Sequence, residues 1–311
     1  MSGKANLRKA YGQTLVDLGA ENKNIVVLDA DLGKSTMGSM FEEAYPDRHY
    51  EMGIAEANMA SVAAGLALTG KIPFISSFAV FCPGRCYDQI RTNICIPSLN
   101  VKICGSSAGL SDFGDGSTHQ SIDDISLMKT LPNMQVFSPA DAIEVIKIVK
   151  YMAANKGPMY IRINRNDLPI VTDESEEFVP GKVYTLREGK DVAVFATGIM
   201  VSRALEAAEM LSKEGIDVKV VNVPTIKPLD VESVQQISAK AKAIVTAEEH
   251  SIYGGLGDAI SHAVSSKVAI KMIRIGVNDT FGTSSHDYDL LLEKYNLTSK
   301  AIVDAIHCVL K

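Results

Sequence analysis

Cysteine is scarce: five residues are scattered over 311, with no repeating spacing and no secretory signal ahead of them. That pattern excludes a disulfide framework and points to a reducing cytoplasm. A basic excess is also missing. The 31 Lys+Arg against 37 Asp+Glu leave a net charge of −6, which excludes a surface built to coat nucleic acid. No apolar run is long enough to span a bilayer. The most apolar stretch, Met59 to Leu68, is interrupted by small residues and closes at Thr69-Gly70-Lys71. The opening Met1-Ser2-Gly3-Lys4-Ala5-Asn6 lacks the apolar core of a signal peptide. Neither a Walker loop nor an HExxH helix is present. Cys82 and Cys86 frame Pro83-Gly84-Arg85 with no second pair to complete a zinc site. With 46% apolar and 22% charged residues, disorder, collagen and coiled coil are excluded as global descriptions. A cytoplasmic globular protein with no nucleic-acid and no membrane partner is expected.

What is present is alternation. Leu7, Tyr11, Leu15 and Leu18 fall at helical spacing, and Ile25-Val26-Val27-Leu28 then reads as a buried strand. The stretch from Ala55 to Leu68 is rich in Ala and Gly, which suits a closely packed helix. Strands are expected at 73–75, 101–104, 134–137 and 159–163, with a helix over 140–153. A second block places strands near 192–196, 218–223, 243–247 and 270–275, with helices near 202–213, 255–265 and 299–309. Between the blocks lie Pro169, the acidic run Asp173-Glu174-Ser175-Glu176-Glu177 and Pro180-Gly181, which read as an exposed linker. The expected fold class is α/β. It has a first domain over 1–170, a linker over 171–190 and a second domain over 191–311, each a mostly parallel sheet covered by helices.

Three constellations carry chemistry. Glu56, in Glu51-Met52-Gly53-Ile54-Ala55-Glu56-Ala57-Asn58, opens an apolar helix. The acid there either favours the helix N-terminus through its dipole or is a carboxyl in a dry pocket, where desolvation favours its sharing a proton with a ligand. Phe78 and Phe81 stand three apart after a strand, a spacing that by itself favours core packing over ligand stacking. Asp115-Gly116-Ser117-Thr118-His119-Gln120 follows a strand, where a loop at a sheet's carboxyl end would lie. Read as a metal turn, Gly114-Asp115-Gly116 lacks the downstream asparagine that a magnesium–diphosphate site would add. Tyr253-Gly254-Gly255-Leu256-Gly257 is a glycine-rich helix entry, favoured as a packing feature over a phosphate cradle.

In this order, from about Arg8 to the carboxyl end, these segments resemble the transketolase family of thiamine-diphosphate enzymes. Leu131-Pro132-Asn133 and Ser138-Pro139-Ala140-Asp141 extend the likeness. The resemblance implies a pyrimidine-binding domain followed by the family's C-terminal domain. The family's diphosphate- and metal-binding domain has no counterpart here. It therefore implies a split enzyme, an α2β2 heterotetramer in which an N-terminal transketolase subunit holds the diphosphate with Mg2+ or Ca2+ while this chain holds the pyrimidine. The implied reaction moves a two-carbon ketol unit from a ketose phosphate to an aldose.

Residue by residue, Glu56 matches the glutamate that hydrogen-bonds N1′ of the aminopyrimidine. Phe81 with Phe78 matches the aromatic wall, Ile54 the segment before the glutamate, and Asp31 an acid near the pyrimidine at the subunit junction. His119 matches the histidine that contacts hydroxyls near the reacting carbonyl, and Asp115 the acid that reads the C2 hydroxyl. Arg8, Ser35 and Arg165 match three of the family's phosphate contacts. The fourth, a histidine in most members, aligns with Ser107, and Gly114 stands where many members have Glu. The resemblance therefore leaves the tail open between phosphate and another oxyanion such as a sulfonate. Two other readings share the scaffold: a 2-oxo acid dehydrogenase β subunit or deoxyxylulose-phosphate synthase, and a non-catalytic assembly subunit. The pairing of Asp115 with His119 and the Arg8/Ser35/Arg165 set favour the sugar enzyme.

Overall fold

A computed structural model describes residues 2–311. In chain order the first strands are β1 (Ser2–Asn6), β2 (Ile25–Asp29), β3 (His49–Glu51), β4 (Ile72–Phe78), β5 (Lys102–Ser106), β6 (Gln135–Phe137), β7 (Met159–Ile163) and β8 (Asp167–Ile170). They are followed by β9 (Tyr184–Arg187), β10 (Val192–Ala196), β11 (Val218–Asn222), β12 (Thr225–Lys227), β13 (Ala243–Ser251) and β14 (Lys271–Val277). One seven-stranded sheet runs β12-β6-β7-β5-β4-β2-β3 and one five-stranded sheet runs β14-β13-β10-β11-β9. All pairings within them are parallel except β12 with β6 and β9 with β11. The α/β expectation holds: two mostly parallel sheets, each covered by helices.

The strands form where apolar runs are continuous because both faces are buried. Every residue of β2, β5, β7 and β10 is buried. On one face of the first sheet, the helix Leu7–Glu21 packs beside Ala142–Ala154. It buries Leu7, Tyr11 and Leu15, three of the four residues that its spacing marks, while Leu18 is partly buried. The helix Glu56–Leu68 covers the other face and buries Met59, Ala60, Ala63 and Ala64, so small side chains bring it close to the sheet. Among the described residues no helix is long and apolar enough to cross a membrane.

The link between the blocks is shorter than the sequence suggests. β9 lies within the expected 171–190 linker and pairs antiparallel with β11, while β8 ends just ahead of it at Ile170 and pairs antiparallel with β1. The acidic run is exposed as expected. Nor are the blocks strictly sequential, because β12 leaves the second block to extend the first sheet beside β6. The seam buries polar groups from both sides. Glu144 accepts from Ala140 N at 2.7 Å and from Asn222 Nδ2, on β11, at 2.6 Å. Glu249, on β13, accepts from Leu110 N, Asn164 Nδ2 and Tyr288 Oη.

Burial pushes Glu144 up to about 8 from an ordinary 4.5, against the hydrogen bond from Ala140. The native state therefore keeps a proton that the unfolded chain releases near 4.5. The associated stability is fully present below that value and is lost as pH rises through about 8. Urea unfolding at several pH values is expected to show wild type weakening over this window relative to Glu144→Gln, which has no proton to lose. Parallel curves for the two proteins would refute the assignment.

Candidate active site

From β2 the chain passes outward to β3 and then back across to β4, so the order of the first sheet reverses between β2 and β4. A crevice at the carboxyl ends of parallel strands, beside such a reversal, is where open α/β sheets bind ligands. The residues singled out in the sequence gather along that edge. Asp31 follows β2, Phe78 ends β4, Ser107 follows β5 and Arg165 follows β7. Asp31 (φ 59°) and Ser107 (φ 52°) are both left-handed, a conformation that strains non-glycine residues by roughly 1–3 kcal/mol and clusters at functional sites.

Glu56 begins its helix, where the aligned peptide dipoles favour an acid, and is buried. This burial accords with the dry-pocket reading, one of the two left open by the sequence, and the carboxylate is not alone there. Arg85 Nη1 donates to Glu56 Oε1 at 2.6 Å, so the carboxylate faces a guanidinium. The same guanidinium lies 4.0 Å from the centroid of the Phe81 ring. Phe81 in turn stacks with Phe78 (centroids 5.9 Å apart, planes 14° apart), and the His119 ring meets Phe81 edge-on at 5.3 Å. Phe78 is buried, whereas Phe81 presents a face to a planar cation. His119 is fixed by its neighbour Thr118, whose Oγ1 lies 2.9 Å from Nδ1.

A second group adjoins the first. Arg165 lies 5.9 Å over Phe78 and donates through Nη1 to Asp112 Oδ2 at 2.5 Å. Arg8 donates through Nη1 to the carbonyl of Ser35 at 2.9 Å, while its buried Nε has no partner. Burial, then the charge of Arg165, lowers Arg8 from its usual range, and Asp112 and Asp167 oppose this. The Ser107 hydroxyl is buried and also without a partner among the described residues. Asp115 is exposed at the mouth of the loop. Asp31 is exposed, its N–H donating to Glu51 Oε1 at 2.8 Å. Ile54 is 75% exposed.

Two residues escaped the sequence reading. Arg85 carries no periodic or spacing signal that ties it to Glu56. Asp112 sits in Ser111-Asp112-Phe113-Gly114-Asp115, where the second acid drew attention. The glycine-rich turn before Leu256–Ser265 behaves as the packing reading expected. Leu256 N and Gly257 N donate to the chain's own Glu248 carboxylate at 2.6 and 2.8 Å, so that helix entry already holds an anion. His262 and His286 are exposed and His250 is buried.

A buried acid, an aromatic face, a histidine and paired arginines at a sheet reversal define an α/β enzyme-type site. The family model for the transketolase pyrimidine binding domain matches residues 3–171, and that for the transketolase C-terminal domain matches 181–302. The chain belongs to the transketolase family and carries these two domains. It is 43% identical to a protein of Methanocaldococcus jannaschii named as a transketolase C-terminal section, over 96% of this chain and 95% of the other. It is 42% identical to a 6-deoxy-6-sulfo-D-fructose transketolase subunit of Clostridium sp. (strain MSTE9), over 97% of this chain and 93% of that one. Among solved structures, a split-gene transketolase described as an inactive β4 tetramer superposes with a TM-score of 0.90, at 48% identity and over 99% of both chains.

Proposed function

We propose that this chain is the pyrimidine-binding subunit of a two-chain transketolase that moves a two-carbon ketol unit from an anionic ketose to an aldose. The observation that carries the reading is the Arg85 guanidinium, a planar nitrogen group that touches Glu56 and the Phe81 face together. An aminopyrimidine is planar too, and its ring nitrogen would accept from a protonated Glu56 where the guanidinium now donates to the carboxylate, so the residues present fit thiamine diphosphate once Arg85 yields its place. When bound, the cofactor supplies the electron sink that allows a ketose C2–C3 bond to break.

The chain's own residues supply the setting. Glu56 holds a proton at the ring nitrogen N1′ in a site from which its helix excludes water. Phe81, backed by Phe78, fixes the ring plane; such aromatic contact contributes about 0.5–1.5 kcal/mol beyond burial. His119 and Asp115 orient sugar hydroxyls, and Arg8, Ser35, Ser107 and Arg165 receive the charged tail. Forked guanidinium donors suit a tetrahedral oxyanion. Asp31 and the exposed Ile54 lie where a partner subunit completes the pocket, with that partner holding the diphosphate and its Mg2+ or Ca2+.

Support for two chains comes from the relatives, named as a C-terminal section and as a subunit, and from a β-only tetramer described as inactive. The sulfofructose relative and the serine at position 107 favour a tail that need not be phosphate. The test is to co-purify the chain with its diphosphate-binding partner and assay ketose plus aldose with thiamine diphosphate and magnesium. Cofactor-dependent transfer by the complex, and none by this chain alone, is expected. No transfer across several phosphorylated and sulfonated sugars would refute the reading.

A further inference from the structure

We propose that Asp112 is a specificity-determining residue that matches the tail site to an oxyanion of single negative charge, a sulfonate, in preference to a phosphate monoester. The proposal deepens the reading above and rests on its assignment of Arg8 and Arg165 to the substrate tail.

Asp112 is not a free surface acid. Its side chain is 4% exposed, and its Oδ2 accepts from Arg165 Nη1 at 2.5 Å. The loop around it is pinned on both sides: Ser111 Oγ accepts from Arg165 N, and the Ser111 carbonyl accepts from Asn166 Nδ2 at 3.1 Å. The Asp112 carbonyl accepts from Gln120 Nε2 at 3.2 Å. The carboxylate is thus built into the site and acts on both arginines. It cancels one of the two guanidinium charges, and the exposed Asp167 draws further on Arg8. Ser107 adds a hydroxyl donor but no charge.

Arg8 and Arg165 against Asp112 leave one positive charge to meet the ligand, and Asp167 reduces it further. A phosphate monoester carries about −1.5 to −2 at pH 7 and would leave negative charge unpaired beside a buried carboxylate, which is unfavourable in a partly desolvated site. A sulfonate has the same tetrahedral oxygens at a fixed charge of −1, so it takes the same forked hydrogen bonds without that excess.

The experiment uses the complex with the partner subunit and a pair of ketose donors that differ only in a terminal phosphate or sulfonate. Wild type is expected to favour the sulfonate in kcat/KM. Asp112→Asn, which keeps the shape and removes the charge, is expected to shift the phosphate-to-sulfonate ratio at least tenfold toward phosphate. This ratio is indifferent to a general loss of activity, so a merely structural role would not move it. Calorimetric binding of both donors to the Glu56→Gln complex, with and without Asp112→Asn, gives the same ratio without turnover. Asp112→Ser serves if the asparagine variant does not fold. A ratio that moves less than threefold, or a wild type that prefers phosphate, overturns the assignment to Asp112 while two-carbon transfer stands. If neither donor binds or reacts, the proposed function fails and this inference with it.

Discussion

Glu56→Gln is expected to lower two-carbon transfer by the assembled enzyme by about two to four orders of magnitude, the usual range for loss of a positioned proton-transfer group. Glutamine keeps the length and one carbonyl acceptor for Arg85 Nη1, now 2.6 Å away, but it cannot hold a transferable proton at the pyrimidine nitrogen. The fold should hardly notice. Glu56 is buried but Arg85 is 49% exposed, so water solvates the guanidinium when its counter-charge is removed, and a pair open to solvent on the arginine side contributes about 1 kcal/mol. Steady-state rates and thermal unfolding of the same preparation separate the two effects. Activity within threefold of wild type would show that Glu56 is the helix-opening acid of the blander reading and nothing more.

Asp124→Ala should damage the fold rather than the chemistry. Asp124 and Arg162 are both buried; Arg162 donates through Nε at 2.9 Å and through Nη2 at 3.0 Å, and Tyr160 Oη donates at 2.7 Å. Arg162 also reaches the Glu249 carbonyl on β13 at 3.2 Å, so the cluster ties the first sheet to the second. Removing one member of such a pair leaves a charge buried without its partner, at a loss of about 3–5 kcal/mol. Urea unfolding measures it directly. The companion double variant Asp124→Leu with Arg162→Met should recover much of the loss, because no charge then remains stranded. A loss below about 1 kcal/mol in the single variant would mean that water reaches the cluster and screens it.

The central strands were legible because parallel strands covered on both faces are buried at every position and so mostly apolar: Ile25–Asp29 is apolar up to its last residue, and Met159–Ile163 carries one charge, Arg162. The long helices were legible from spacing or from Ala-rich composition. What sequence alone did not disclose are the edges. β1 is Ser-Gly-Lys-Ala-Asn, β8 carries Pro169, and β3 and β12 are three residues long. Their pairing is decided by what lies alongside in space. The crossing of β12 to the first sheet is likewise a long-range outcome that no local pattern announces. At the candidate site the acid, the aromatics, the histidine and the arginines could each be picked out by motif. Their countercharges could not, because Arg85 is 29 residues from Glu56 and Asp112 is 53 from Arg165; such pairs exist only once the chain is folded.

The bond between Arg85 and Glu56 bears on the order of assembly. A solitary carboxylate at that depth would burden a newly made chain and attract stray metal cations. With the guanidinium tethered on the four-residue turn Cys82–Arg85, the subunit of the proposed two-chain enzyme would mature ahead of its companion with its buried acid plugged. Because the plug is half open to solvent, it withdraws into water without unfolding anything behind it. On the proposed function, loading would then be an exchange of one flat nitrogen group for another, and the vacancy between them need never stand empty.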